Sequence, residues 1–250
     1  MAMRPSKGRD ALSFCLGVVL IGCLIQAAGA IKGDSLVFPG VGEILRAFCR
    51  LLGEGQTWRM IATTVRDMAA ALAISTVLGV SLGMLQGLSG FLRRLLQPMM
   101  IFLRAIPMVV LIFIIMVLMK YEYVPVVAST LILTPMIAEA ACEGCLRIDR
   151  ELIDVYRMNS GLNMRVLWHV YLPLMGGYLR QAWVNAVGMG VKLAVSTEYL
   201  VQTANSLGKA VTSSAYFLEY QDIYAYALIM ILIVLTLSEL PLYLLRKLQK

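Results

Sequence analysis

Six apolar stretches, each long enough to cross a lipid bilayer, constrain this chain more than any other feature of its sequence. A membrane-spanning helix needs about 20 mostly apolar residues. The stretches occupy residues 11–30, 61–88, 98–119, 124–145, 174–200 and 223–245. Hydrophobic residues make up 60% of the chain and charged residues only 15%, which excludes a soluble domain of this length. The sequence therefore predicts an all-α membrane protein with six transmembrane helices in a single domain, residues 1–250.

The distribution of Lys and Arg predicts how these spans are oriented, because cytoplasmic loops carry an excess of both. The N-terminus, residues 89–97, residues 146–173 and the tail hold three, two, four and three of them, twelve in all. The opposite loops hold six, namely Lys32, Arg46, Arg50, Arg59, Lys120 and Lys209. We therefore expect both termini in the cytoplasm. The net charge of +7 comes without a basic, aromatic-rich tract, which argues against nucleic-acid binding.

The first apolar stretch has a second interpretation. Residues 1–10 are basic, an apolar run follows, and Ala28-Gly29-Ala30 has the A-x-A form of a signal-peptide cleavage site. Cleavage would leave five spans and move one terminus to the outside.

Two local patterns predict helix packing. Residues 43–52 place their apolar side chains on one helical face, as in a short helix lying along the outer membrane interface. Gly79, Gly83 and Gly87 recur at a spacing of four residues. Such a stripe allows two helix backbones to approach closely, within one subunit or between two.

Motifs of covalent chemistry are weak in this chain. Residues 87–90 read G-L-S-G, as in intramembrane serine proteases, but that chemistry needs a histidine base near Ser89. The single histidine, His169, lies beside a polar loop. Cys142 and Cys145 have the C-x-x-C spacing of many zinc sites. Structural zinc needs four ligands, and the chain has no second C-x-x-C pair to complete the set. We expect no metal site and no catalytic residue, with a protease using Ser89 as the alternative from another class.

Ionisable residues inside spans are costly, so each is a candidate functional residue. Arg104 lies in the third span shortly before Pro107, Lys192 lies deep in the fifth span, and Glu198 follows it. Because Lys192 and Glu198 are six residues apart, they do not share a helical face. Glu139 lies in the middle of the fourth span.

The loop 146–173 is polar and yet strongly patterned. Apolar residues of two short amphipathic helices flank a break at Ser160-Gly161, and Leu172-Pro173 ends the second helix. This pattern predicts a cytoplasmic protrusion that fits a groove on a partner protein.

This loop resembles the coupling segment of bacterial ABC importer permeases, whose pattern is E-A-A, three residues, G-A, and I-x-L-P about eleven residues later. Alignment on Leu172-Pro173 places the E-A-A positions 15 residues after the literal Glu139-Ala140-Ala141. That offset is about 22 Å of helix, so the literal tripeptide falls inside the membrane. The resemblance implies that the ATPase contacts Asp154, Val155, Tyr156, Ser160, Gly161, Trp168, Leu172 and Pro173.

Other segments extend the resemblance. "FPGVGEILRAF" and "LLQPMMIFLRAIPMVVLIFIIM" are similar to the family's outer interfacial segment and to its span with the R-x-x-P pattern. "GVKLAVSTEYL" followed by "SLGKAV" resembles the branch that imports sulfonates, taurine, nitrate and pyrimidine vitamin precursors. Val191 replaces a tryptophan frequent in that branch, and Asp154, Val155 and Tyr156 replace the coupling glutamate and alanines. The candidate pathway residues are Arg104, Pro107, Lys192 and Glu198.

The resemblance implies an inner-membrane permease subunit, working as a homodimer, that moves a small solute by alternating access. It implies two further partners, a cytoplasmic ABC ATPase dimer and an extracytoplasmic solute-binding protein. This chain is then not an enzyme and binds no cofactor, since ATP and Mg²⁺ are used by the ATPase. A membrane subunit that couples an ATPase to signalling without transport is a further alternative.

Overall fold

A computed structural model describes residue 37, residues 39–149 and residues 166–248, with the side chains of residues 238–248 excepted. The described residues form eight main helices and no strand, which confirms the all-helical prediction for this part of the chain. The helices are α1 (Val41–Gly53), α2 (Gly55–Leu88), α3 (Gly90–Ala105), α4 (Met108–Leu118), α5 (Val124–Leu146), α6 (Gly176–Val201), α7 (Leu207–Tyr216) and α8 (Tyr220–Leu248). Shorter helical turns lie at Tyr121–Tyr123, Leu167–Tyr171 and Leu172–Leu174.

Three helical segments of the described chain are long and apolar enough to cross a membrane: Gly55–Leu88, Tyr121–Leu146 and Tyr220–Leu237. They overlap the second, fourth and sixth predicted spans. The number rises to four if the bent pair α3 and α4 counts as one span. Helix α6 covers the fifth predicted span but is not among these candidates. The first predicted span, 11–30, lies outside the described residues, so six spans remain a prediction.

The predicted span 98–119 is not one straight helix. Helices α3 and α4 meet at an angle of 102°. Ile106 and Pro107 between them are both extended, with ψ of 127° and 131°. The cause is Pro107, which has no backbone N–H and disfavours the helical conformation of the residue before it. Helix α4, with 11 residues, is about 16 Å long and cannot cross a hydrocarbon core of about 30 Å alone.

Helix α5 occupies the centre of the bundle. In the most apolar 18-residue stretch of the segment that contains α5, 61% is buried, compared with 33% for the same measure in α2 and 22% in α8. One reason is its composition, since small residues and threonines fill the buried positions. Thr130 and Thr134 satisfy their hydroxyl groups by donating to carbonyl oxygens one turn earlier, so these polar side chains can be buried among helices.

The glycine stripe of α2 packs against α5 of the same chain. A Cβ atom at Gly79 would lie 2.7 Å from Cβ of Ile137, and one at Gly83 would lie 2.5 Å from Cβ of Ala141. At Gly87 the obstacle is the Cβ of Cys145. Real Cβ contacts are not this short, so the absence of side chains lets the two backbones approach. The sequence left open which helices meet here, and the structure places the contact within one subunit.

Helix α6 uses a similar stripe of small residues. Ala182, Ala186, Gly190 and Ala194 are all buried at a spacing of four residues. This face packs against α5 and α2. The position of Gly190, for example, is lined by Leu133 of α5 and Met68 of α2. The opposite face of α6 is exposed, which becomes important for the functional site.

The short helix α1 packs across the bundle through Ile44, Ala47 and Leu51, which are buried. Arg50 donates to both carboxylate oxygens of Asp222 at 2.5 Å and so joins α1 to the start of α8. This hydrogen bond raises the pKa of the Arg50 guanidinium, so the group keeps its charge at any physiological pH. We call this end of the bundle the α7 end. It contains α1, the start of α2, the end of α6, and α7.

Candidate functional site

Most residues that the resemblance assigns to ATPase contact lie in the part of the chain outside the description. These are Asp154, Val155, Tyr156, Ser160 and Gly161. Trp168, Leu172 and Pro173 are described, and they follow directly after that part. They lie at the end of the bundle opposite to the α7 end, beside the end of α5.

The segment 167–172 is anchored by two residues of its apolar face, which the resemblance does not assign to ATPase contact. Val170 and Tyr171 are buried in a cluster with Cys145, Ile148 and Met175. Trp168 is 64% exposed and lines an apolar groove of about 500 Å³ together with residues of α2 such as Val80 and Met84. The helical spacing of the apolar residues in this segment is the sequence pattern that indicates a shared apolar face for Val170 and Tyr171.

Arg104, a predicted pathway residue, forms an ion pair with Glu139. Its Nη2 lies 2.6 Å from Oε2 of Glu139 and also donates to the carbonyl oxygen of Pro135 at 2.9 Å. Because Arg104 lies in the last turn of α3, directly before the bend at Pro107, these contacts fix the bend to α5. Pro107 itself is exposed and begins α4. The structure thus brings together Arg104 and the literal E-A-A glutamate, which sequence analysis treated separately.

The Arg104–Glu139 pair lies on the wall of a small polar cavity between α2, α3 and α5. The volume of this cavity is about 190 Å³. Its charged and amide-bearing lining residues are Gln86, Arg93, Gln97, Arg104, Glu139 and Glu143. Two guanidinium groups, two carboxylates and two amides therefore line one space. Only Gln86 among these residues is buried, and the other five are exposed.

Lys192 lies on the exposed face of α6. Exposed polar residues recur along that face, at Gln181, Asn185, Lys192, Ser196 and Tyr199, with the apolar Met189 exposed among them. Lys192 forms no salt bridge within the described part of the chain. An ammonium group on a membrane helix needs water or a partner, so this face is not suited to contact with lipid chains.

Glu198 lies in the interior, away from the exposed face, as its separation from Lys192 predicts. It is fully buried. Its Oε2 accepts from the hydroxyl of Thr64 at 2.9 Å and from the backbone N–H of Gly208 at 3.1 Å. The Thr64 hydroxyl in turn accepts from the N–H of Leu207. Glu198 therefore joins α2, α6 and α7 at the α7 end, and its other oxygen, Oε1, has no partner within the described residues.

The motifs of covalent chemistry have packing or capping roles in the structure. Ser89 is the N-cap of α3 and accepts from the N–H of Leu92 at 3.4 Å, a common role for serine. Cys142 and Cys145 are buried, and Cys145 donates to the sulfur of Met175. No group of three or more metal-ligating side chains occurs within the described residues.

These features define a helical membrane protein that carries a buried glutamate and a buried glutamine inside its bundle, and further charged and amide groups on exposed helix faces. The chain belongs to the family described as binding-protein-dependent transport system inner membrane component, whose family model matches residues 75–250. It is an ABC transporter permease subunit, and its homologues in this family are transport subunits rather than enzymes.

Relatives and a solved structure agree with this assignment. Probable ABC transporter permease proteins of Brucella melitensis and Brucella abortus are each 24% identical over 220 residues, covering 87% of this chain and 83% and 82% of theirs. The fold is similar to inward-facing conformations of the MetNI methionine ABC transporter, with a TM-score of 0.65 and 19% identity. That similarity covers 80% of this chain and 96% of the other.

Proposed function

We propose that this chain is the permease subunit of an ATP-driven importer, which moves a small solute delivered by an external binding protein. The observation that carries the proposal is the exposed polar face of α6. A face with Gln181, Asn185, Lys192 and Ser196 would leave several polar groups unsatisfied in hydrocarbon. Facing a second copy of the chain, the same groups would line a water-filled path between the two subunits.

The mechanism that fits this arrangement is alternating access without covalent chemistry. A cytoplasmic ABC ATPase dimer binds ATP and Mg²⁺ and, on closing, moves the coupling segments of the two permease copies together. The residues from Asp154 to Gly161 transmit this motion, and the buried anchor of Val170 and Tyr171 passes it to α5 and α6. The rigid contact of α2 with α5 supports movement of the helices as a body.

The solute that suits the path is small and carries a negative group. Lys192 is the charged residue of the exposed α6 face, and it has no carboxylate partner within the described residues. An unpaired ammonium raises the local concentration of anions. Among the solutes of the branch that the sequence resembles, sulfonates, taurine and nitrate carry such a group and are the candidates. The proposed location is the inner membrane, with both termini in the cytoplasm.

Substitution of Lys192 tests the proposed path. We expect Lys192→Met to lower solute uptake by at least about tenfold, because it removes an unpaired charge worth about 1.5–3 kcal/mol in a hydrogen bond to an anion. Lys192→Arg should keep part of the uptake. The measurement is uptake into proteoliposomes that contain the permease, its ATPase and its binding protein.

The matched control is Lys120→Met, which removes an exposed lysine outside α6 and should leave uptake unchanged. Copurification of the ATPase with each variant shows whether the complex has assembled. Normal uptake by an assembled Lys192→Met complex would contradict the proposed path along α6.

A further inference from the structure

The polar cavity between α2, α3 and α5 has unsatisfied hydrogen-bond donors on its wall. Gln86 is 8% exposed, and its Nε2 has no hydrogen-bond partner within the described residues. A buried amide without a hydrogen-bond partner is destabilising. Arg93 lines the same cavity and forms no ion pair in the described part of the chain. Both side chains can donate to the same anionic group.

The opposite charge is available within the same space. Glu143 lines the cavity and forms no salt bridge with a described residue, whereas Glu139 is paired with Arg104. Arg93 and Glu143, both exposed, are thus a cation and an anion beside one cavity that have no ion-pair partner among the described residues. They form no ion pair with each other, and a ligand that carries both charges could pair with both.

The size of the cavity limits such a ligand. A volume of about 190 Å³ is several times the roughly 30 Å³ that one water molecule occupies in the liquid. It suits a molecule of few non-hydrogen atoms. Gln97 adds a second amide and Met100 an apolar surface on the α3 wall, which would allow short apolar portions of the ligand to pack.

We propose that this cavity binds a small zwitterion within a single permease chain. Arg93 and Gln86 hold its carboxylate or sulfonate, Glu143 holds its ammonium group, and the Arg104–Glu139 pair closes the remaining wall. The ligand class is that of a small amino acid or aminosulfonate. This inference rests on the proposed function only for the idea that the ligand is also the transported solute, since binding itself requires no transport.

Calorimetric titration of the full-length chain in lipid nanodiscs, without ATPase or ATP, tests the site. The probes are L-alanine, β-alanine and taurine, and the singly charged controls are propionate and propylamine. We expect at least one zwitterion to bind saturably and more tightly than both controls. Taurine as the better ligand would identify a sulfonate site, and alanine a carboxylate site.

Two variants and a matched control locate the binding. Arg93→Gln and Glu143→Gln should each weaken it by at least about tenfold. Arg94→Gln is the control, because Arg94 neighbours Arg93 but donates to the carbonyl of Gly90 and does not line the cavity. The proposal is overturned if no zwitterion binds, if propionate binds equally well, or if Arg94→Gln weakens binding as much as Arg93→Gln. Uptake by the Lys192 variants is measured separately, so failure of transport and failure of this site are distinguishable.

Discussion

Single glycines set the distance between α2 and α5. A side chain at Gly83 would meet both the main-chain oxygen of Ala138 and the Cβ of Ala141. A backbone atom cannot rotate away as the end of a flexible side chain can, so the helices would have to separate. Gly188 of α6, in contrast, has nothing within 4 Å of the position of an added Cβ.

These two glycines form a matched pair of tests. We expect Gly83→Ala to lower the free energy of unfolding by about 1–3 kcal/mol through overpacking. Gly188→Ala should be neutral or stabilising by up to about 1 kcal/mol, since alanine favours helix over glycine. Thermal unfolding of both variants in detergent, followed by tryptophan fluorescence, is the measurement. Equal stability of the two variants would show that α2 and α5 are not in tight contact at Gly83.

The contacts of single residues could be predicted where the pattern lies within one helix. They could not be predicted where they depend on how two helices cross. The spacing of Gly79, Gly83 and Gly87 indicated close packing because a helix places them on one face. The pairing of Arg104 with Glu139 depends on how α3 crosses α5, and no local pattern contains that information. Their opposite charges in neighbouring apolar stretches were the available signal.

At the scale of helices and loops, we expect the predicted coupling segment and the literal E-A-A tripeptide to occupy different environments. Glu139 lies within α5 and is paired with Arg104. Residues 154–161 lie outside the described residues, in the stretch 146–173 that the sequence predicts to be a polar cytoplasmic loop. A change in that loop should therefore affect a protein surface, whereas a change at Glu139 should affect the bundle.

The separate roles predict separate outcomes for three variants. We expect Gly161→Asp and Asp154→Arg to release the ATPase while membrane insertion is kept, with a loss of at least about 2 kcal/mol of binding free energy, as for one hot spot. Glu139→Gln should keep the ATPase. Pull-down of the ATPase by the detergent-solubilised permease measures this. Loss of the ATPase only from Glu139→Gln would move the coupling role to α5.

The bend between α3 and α4 shows what a hydropathy pattern cannot predict. Residues 98–119 are apolar enough for one span, and averaging over them hides the break. Pro107 carried the signal, since a proline ends or kinks the helix before it. The angle of 102° depends on where Arg104 contacts α5, and that contact is not encoded in residues 98–119 alone. The long helices α2 and α5 were predictable because their apolar residues continue for more than six turns.

At the scale of the whole molecule, the excess of Lys and Arg in one set of loops predicts the topology. We expect a cysteine at position 34 to react with a membrane-impermeant maleimide in sealed right-side-out vesicles, and a cysteine at position 160 to react only after permeabilisation. The background lacks the five native cysteines. Labelling of position 160 in sealed vesicles would exclude a cytoplasmic coupling loop.

The length of α2 has a consequence for how the protein sits in its bilayer. Its 34 residues extend about 51 Å, whereas the hydrocarbon core measures about 30 Å. A tilt of about 20°, typical of membrane helices, places roughly 32 Å of the helix in hydrocarbon. Several turns must therefore project into the headgroups or water.

The first turns of α2, with exposed Trp58 and Arg59, have the composition of a projecting end, because tryptophan and arginine favour the headgroup layer. A helix with spare length at its ends tolerates bilayers of different thickness, since lipid can shift along it by a turn without exposing its apolar middle. A mismatch between the hydrophobic length of the protein and the thickness of the bilayer should thus act mainly on the shorter, bent pair of helices α3 and α4. A thinner or thicker membrane would then change the angle between α3 and α4, and with it the position of Arg104, before it disturbed α2.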